Sequence, residues 1–519
     1  MGYIQGTNRA QLTYWSLEDL VDPESMVRVI DRFIDVCDLE QLGFTRTKPA
    51  DTGRPGYESK PLVKLYVYGF ENGVRSSRKL EKETKRNVEV MWLTEGLTPD
   101  HKTISEFRRL NIRPLQKLFR EFVKLCRSWD LVGGELIATD GAKFKASNNK
   151  KNNFSRKKLD DRLIRLDEKI ENYLSQLAEE DRKDEGQGEG QGEGESTLGT
   201  NAPAGLKELL ERKELYEEYK SHLDKTGENE ISTVDPDARL MGNNRGGVEV
   251  AYNVHSAVDA KHHIILDYDV SMNPSDHGHL AITTKKLLRQ GYRRFTILAD
   301  KGFYNGKDLQ KLKRYKIKGI VSRQKHSSPK GQAKEFHAEN FEYNKQKNEY
   351  TCPAGAILPS RSKKGAQRPR YYNPSACKDC IHKADCVSEK AKYRIISRSQ
   401  YSDIYDEADQ CFAENISLYK KRQQIVEHPF GTVKHSLHGD YFLLRTRRKV
   451  RTEIALLFLG YNLKRAYNVM GFQKIMALLD AYIDFNCISW FSRLFLTFFR
   501  FLTTTCLALL AIRWGFATV

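Results

Sequence analysis

Apolar and polar positions change rhythm several times along this chain, and each change predicts a different kind of element. From residue 1 to about 130 the pattern is amphipathic at helical spacing, broken by turns and almost free of strand signal. Lys60-Pro-Leu-Val-Lys-Leu-Tyr-Val-Tyr-Gly-Phe and then Ser76-Ser-Arg-Lys-Leu-Glu-Lys-Glu-Thr read as helix, glycine turn, helix. A further helix opens after Pro99-Asp100-His101, with Thr103 or Ser105 as its cap. Glu135-Leu-Ile-Ala-Thr-Asp140 is a short apolar run ending in an acid. Leu159, Leu163, Leu166, Ile170, Tyr173 and Leu177 recur every three or four residues and lie on one helix face. A Gly/Glu/Gln stretch from Glu185 separates that helix from a second near Leu206, so the pair predicts an antiparallel hairpin joined by a flexible linker.

Beyond the hairpin, strand signals dominate. Val248–Ala257 and His263–Val270 flank a short connection suited to a β-hairpin. His279–Arg289 reads as a helix, Arg294–Asp300 as a strand ending in an acid, Asn305–Tyr315 as a helix and Ile317–Ser322 as a strand. A cysteine-bearing loop region and a helix from about Asn415 follow. With the insertions set aside, three strands able to pair as a meander are followed by alternating helices and strands. That order predicts a ribonuclease H-like mixed sheet with helices on both faces, an α/β class. The expected organisation is a helical N-terminal DNA-binding domain (1–130) and a catalytic domain in three pieces (131–154, 231–339, 393–470). A charged hairpin insertion (155–230), a cysteine-rich insertion (340–392) and an apolar tail (471–519) complete it.

Charge gives this architecture a partner. The chain carries 86 Lys and Arg against 68 Asp and Glu, a formal net charge of +18. Residues Glu179 to Glu195 hold eight acids and two bases, leaving about +24 on the rest. Such a surplus favours a polyanion, since each neutralised phosphate releases counterions. Lys60, Lys64, Arg75, Arg78, Lys79, Lys82, Lys85 and Arg86 crowd the N-terminal helices, as in a helical DNA-binding module. The N-terminus lacks the apolar core of a secretory signal. The tail's longest uncharged stretch, Phe501–Ile512, is 12 residues and too short to span a bilayer. The expected setting is therefore the bacterial cytoplasm and nucleoid, without stable membrane insertion.

The candidate chemistry lies in three acids. Displacement at a phosphodiester, already ringed by anionic oxygens, is served by divalent ions held on a few carboxylates. Without a cation those acids would repel one another. Asp140 and Asp300 each end a predicted strand, and carboxyl ends of strands are where open sheets bind ligands. Asp140-Gly-Ala-Lys-Phe-Lys and Ala299-Asp-Lys-Gly-Phe-Tyr leave room for a phosphate to approach. In the third string, Ile416, Tyr419, Val426, Phe430, Val433 and Leu437 form a buried helical stripe, with Glu427 at its edge and Lys434 two turns further on the same face. Pro429 predicts a kink or break near Glu427.

The strings DGAKFKAS, DPDARLM, GGVEVAYNVHSAVDA, ADKGFYN, IVEHPFGTVK and FLLRTRRKVRTEIALLFLGYNLKRA, together with PDHKTISEFRR near the N-terminus, resemble bacterial insertion-sequence transposases of the DDE class. The closest resemblance is to the group with an inserted cysteine cluster, and it covers roughly residues 1–470. It implies that Asp140, Asp300 and Glu427 hold catalytic Mg²⁺ or Mn²⁺, and that Tyr419, Arg422 and Lys434 are signature residues around the last acid. One spacing departs from the pattern, with four residues rather than three between Arg422 and Glu427. The implied partners are terminal inverted repeats and target DNA, with a homodimer in the synaptic complex. Lys143, Lys434, Arg445, Arg447 and Arg448 are the candidate phosphate contacts.

Cys352, Cys377, Cys380 and Cys386 fall within a polar, basic segment that offers little apolar surface to bury. Four thiols there suit structural Zn²⁺, whose binding would supply folding energy, with His382 as a possible substitute ligand. The other five cysteines, Cys37, Cys126, Cys411, Cys487 and Cys506, are scattered and read as core residues. Two further readings share most of these features: a catalytically inactive DNA-binding derivative, whose mark would be a lost acid, and a ribonuclease H-like nuclease that hydrolyses without joining.

Overall fold

A computed structural model describes residues 10, 12, 14–49, 55–185, 204–242, 246–323, 333–363, 366, 368–388 and 391–483. The linker from 186 and the apolar tail from 484 onward lie outside the described residues. Among the described residues, no helix is long and apolar enough to cross a membrane.

The central sheet has six strands: β1 (Leu136–Lys145), β2 (Arg239–Gly242), β3 (Val248–Asp259), β4 (Ile265–Ser271), β5 (Thr296–Ala299) and β6 (Lys318–Val321). β3 pairs antiparallel with β1 on one edge; its other edge is shared by β2 in the first half and β4 in the second. β1, β5 and β6 run parallel. Sheet and helices therefore follow the mixed order expected of a ribonuclease H-like domain. The meander forms because β3 and β4 are almost wholly buried, so register is set by side chains on both faces. Two details differ from expectation. β1 does not stop at Asp140 but runs to Lys145, with Phe144 buried among flanking lysines. β2, a four-residue strand bounded by turns, carries too little pattern to be read in advance.

One hydrophobic core joins the N-terminal helices to this sheet. The helix Arg447–Met470 packs on Ser59–Glu71, on Ile112–Ser128 and on β4. Two members of the N-terminal basic run serve this packing, while Arg78, Lys79, Lys82, Lys85 and Arg86 are exposed. Lys64 is buried against Asp31 (2.5 Å) and Asp35 (3.2 Å). Arg75, only 3% exposed, donates to Glu453 (3.0 Å) and to the Tyr441 carbonyl (2.7 Å). The helix from His101 is capped by Asp100, which accepts from the Thr103 backbone N–H at 2.6 Å, and not by Thr103 or Ser105. The start of the tail also belongs to the fold: Ile475 and Leu479 are buried in the core and Asp480 pairs with Arg32.

The hairpin insertion consists of Arg156–Glu185 and Ala204–Thr226. Ion pairs Arg156–Asp224, Lys213–Asp167 and Lys220–Asp160 bridge the two helices. Its root is tied by strands Asn153–Ser155 and Glu230–Ser232 over Phe154, Leu159 and Leu223. The cysteine-bearing segment is more structured than expected. Strands Glu342–Asn344, Glu349–Thr351 and Ile357–Pro359 form a small sheet, and Phe341, Tyr350, Leu358, Tyr371 and Ile396 make a core of their own. These apolar residues are too widely spaced in sequence to show a period.

Candidate active site

The β1–β5 register decides where the acids meet. Thr139 is partnered with Ala299 in the parallel ladder, so the next residues, Asp140 and Asp300, stand side by side. Asp140 is in mid-strand, opposite Ser256 of β3, while Asp300 leaves the end of β5 and opens a short 3₁₀ turn. The helix Ile416–Gly431 lies against β1, β3 and β5 and brings Arg422 over both acids. One guanidinium nitrogen is 3.5 Å from an Asp140 oxygen and the other 3.7 Å from an Asp300 oxygen. These are ion-pair separations, longer than hydrogen bonds. Nη1 is buried and has no hydrogen-bond partner. Tyr419 lies one turn earlier with its ring 5.8 Å from the Arg422 guanidinium carbon.

Burial pushes the Asp140 carboxyl up to about 6; the neighbouring Asp300 and Asp276 charges add to this, while Arg422 and the Gly141 N–H oppose it. The sign follows from the charge. A carboxyl raised on folding binds its proton more tightly in the fold, so its contribution weakens as pH rises through about 6. At pH 7.5 the metal-free Asp140→Asn variant is therefore expected to be more stable than the wild type, on the order of 2 kcal/mol. Thermal melts at pH 5 and 7.5 test this; equal melting temperatures at both pH values would contradict it.

Two lysines complete the surroundings of Asp140. Lys143 donates to the Pro274 carbonyl (2.6 Å), and Lys434 donates to the Lys143 carbonyl (3.0 Å) with its ammonium 4.7 Å from the Phe144 ring centre. Desolvation lowers the pKa of both, and the Asp140 charge opposes it. Pro429 does not break the helix. The chain continues to Gly431 and then widens into a π turn, Thr432–Ser436, which carries Lys434 to β1.

Glu427 stands apart from the two aspartates. It lies five residues beyond Arg422, about 140° around the helix. It is exposed, and Gln423 donates to its carboxylate at 2.7 Å. Among the described residues, no group of three or more His, Cys, Asp or Glu is arranged to hold a metal. The chemistry of the pair nevertheless suits a hard cation: two carboxylates already face one positive group, and Mg²⁺ is commonly held by one or two carboxylates plus phosphate oxygens.

The cysteine cluster is similarly incomplete. Cys352, Cys377, Cys380 and Cys386 are free thiols, and burial pushes the Cys386 thiol up, with the three others adding to the shift. Cys352 sulfur accepts the Ala356 N–H at 3.3 Å, and the His382 ring packs on Phe336 at 5.2 Å. Of the candidate phosphate contacts, Arg445 and Arg448 are exposed. Arg447 is engaged within the fold, donating to the Val270 carbonyl (2.6 Å) with Asp269 at 3.9 Å. Asp276 lies outside every string that carries the resemblance, and Asn253 and His255, though inside GGVEVAYNVHSAVDA, have no role that the sequence assigns; the β3–β1 pairing is what brings them to the Asp140 strand.

A family model described as a transposase DDE domain matches residues 225–463, and one described as a transposase domain (DUF772) matches residues 15–110. No curated protein matches the chain. Asp300, Arg422, Glu427 and Lys434 fall inside the DDE match, whereas Asp140 lies between the two matches and owes its place beside Asp300 to the sheet register. The DDE family is one of metal-dependent DNA-processing enzymes. The two matched regions, in this order and around this mixed sheet, make the chain a member of the insertion-sequence DDE transposases.

Proposed function

We propose that the chain cleaves DNA at the ends of an insertion sequence and joins the 3′-hydroxyl ends to target DNA. The observation that carries this reading is the adjacency of Asp140 and Asp300 beneath a single cation, Arg422. Asp140, Asp300 and Glu427 are the residues that would hold Mg²⁺ or Mn²⁺. When bound, two such ions activate an attacking oxygen and stabilise a leaving one. The protein's own share is positional. Parallel pairing of β1 with β5 fixes the two aspartates. Arg422 holds their charges together and, when released, offers a guanidinium to a phosphate. Lys143 and Lys434 place positive charge beside Asp140, and Tyr419 flanks Arg422. Exposed Arg445 and Arg448 extend the basic surface toward DNA. Arg447 is proposed with them, although it also donates to the Val270 carbonyl and lies near Asp269.

Paired DNA ends call for two protomers, so we expect a homodimer in the synaptic complex. A bacterial cytoplasmic setting at the nucleoid is part of the same proposal and rests on the resemblance to bacterial insertion-sequence transposases. Incubating the full chain with Mg²⁺ and DNA carrying the element's ends should yield joined products. Cut but unjoined ends would mark a simple nuclease. Binding without cleavage would mark an inactive DNA-binding derivative, the second reading, which the engagement of Glu427 with Gln423 favours.

We extend the reading to structural Zn²⁺ on Cys352, Cys377, Cys380 and Cys386. Its support is that all four thiols are free and that the other three influence Cys386. The purified chain is expected to carry about one zinc per protomer. Chelation should expose four reactive thiols and loosen the 340–392 segment to proteolysis. A chain free of zinc, with the same segment equally resistant, would contradict this.

A further inference from the structure

Asp276 occupies an unusual seat beside the two aspartates. It sits in the loop after β4, and its carboxylate is wedged between two glycines, one next to Asp140 and the other two residues beyond Asp300. A β-carbon on Gly141 would come within 2.5 Å of one Asp276 oxygen, and one on Gly302 within 2.8 Å of the other. On its inner side the carboxylate accepts from Asn253 Nδ2 (2.7 Å) and from His255 Nε2 (2.9 Å). Asn253 and His255 are buried on β3. The His255 ring is held between His279, stacked at 3.8 Å, and the edge of Phe303 at 5.8 Å. Phe303 belongs to the turn that begins at Asp300, so β3, the Asp276 loop and the Asp300 turn are locked together. Lys143 closes the other side by donating to Pro274 in the same loop.

We propose that Asp276 is a positioning residue for the acid pair: held by Asn253 and His255 and seated against Gly141 and Gly302, it fixes the separation of the segments that carry Asp140 and Asp300. The inference rests on the reading that those two acids hold a divalent cation. A spacer acts by shape and hydrogen bonding. Asparagine at position 276 keeps both, and alanine keeps neither.

The test is Mn²⁺ binding to the full chain without DNA, read by the electron paramagnetic resonance of free Mn²⁺. Asp276→Ala is expected to weaken Mn²⁺ binding about tenfold, within the range for groups that orient metal ligands, while Asp276→Asn stays within about threefold of wild type. Gly302→Ala, which presses on the carboxylate from the opposite side, should also weaken binding and keeps the test open if Asp276→Ala fails to fold. In cleavage assays the same variants should raise the Mg²⁺ concentration needed for half-maximal rate and leave the DNA requirement unchanged. Wild-type Mn²⁺ affinity in Asp276→Ala or, if that variant does not fold, in Gly302→Ala would overturn the proposal. So would an Asp276→Asn defect as deep as that of Asp276→Ala, since that is the behaviour of a metal ligand. Asp140→Asn separates the two failures. If it loses Mn²⁺ while the Asp276 variants do not, only the spacer idea falls. If it binds Mn²⁺ normally, the cation reading falls and takes the spacer with it.

Discussion

Asp300→Asn is expected to lower the rate of DNA cleavage by at least about a thousandfold while leaving DNA affinity nearly unchanged. The substitution preserves shape, so β5 and the turn after it should fold as before. What it removes is the negative oxygen that faces Asp140 across the parallel ladder and that Arg422 approaches at 3.7 Å. A charge-stabilising group at a phosphoryl centre contributes several kcal/mol, and about 4 kcal/mol corresponds to roughly a thousandfold in rate. Single-turnover cleavage of labelled DNA carrying the element's ends, beside a binding assay at the same salt, measures both quantities. A variant that binds normally and cleaves within tenfold of wild type would remove Asp300 from the chemistry.

The second large effect concerns folding. Arg75→Ala should destabilise the protein by about 3–5 kcal/mol, because it leaves a buried carboxylate without its partner. Glu453 is 1% exposed and takes four hydrogen bonds: one from Arg75, two from the Leu443 N–H shared between its oxygens, and one from the Leu444 N–H. Arg75 in turn holds the Tyr441 carbonyl and lies 4.7 Å from that residue's ring centre. The pair fastens the segment after the π turn, and with it the Lys434 side of the site, onto the N-terminal helices. Denaturant melts of Arg75→Ala and of the double variant Arg75→Met with Glu453→Leu form the comparison. The double variant should recover much of the loss, since two apolar groups leave no charge stranded. Equal destabilisation in both would show that the ion pair is not the source.

The strand order was legible because β3, β4 and β5 are runs of Val, Ile, Leu and Tyr with no competing helical period. Asp140 and Asp300 were legible as strand-associated acids for the same reason. That Asp140 lies within β1 was not, since Lys143 and Lys145 disguise the alternation that buries Phe144. Helix phase placed Val426, Phe430 and Val433 in the core, but a single sequence does not say which way Glu427 turns once Arg422 faces the aspartates. The eight cations of the N-terminal run look alike in sequence. Only the fold separates Arg75, whose partner lies 378 residues away, from its exposed neighbours. The expectation that the cysteine segment lacks a core failed because its aromatics meet through strand pairing rather than through any local period. Asp276 escaped notice because its significance comes from two glycines on other segments.

The proposal's central claim is that Asp140 and Asp300 share one divalent-cation pocket, which Glu427, standing apart from them here, would have to join. It is tested most directly by letting Fe²⁺ replace Mg²⁺, generating hydroxyl radicals with ascorbate and peroxide, and mapping where the backbone is cut. The account predicts fragments ending near residues 140, 300 and 427, all suppressed by excess Mg²⁺. Cuts confined to other segments, or none that Mg²⁺ suppresses, would contradict it.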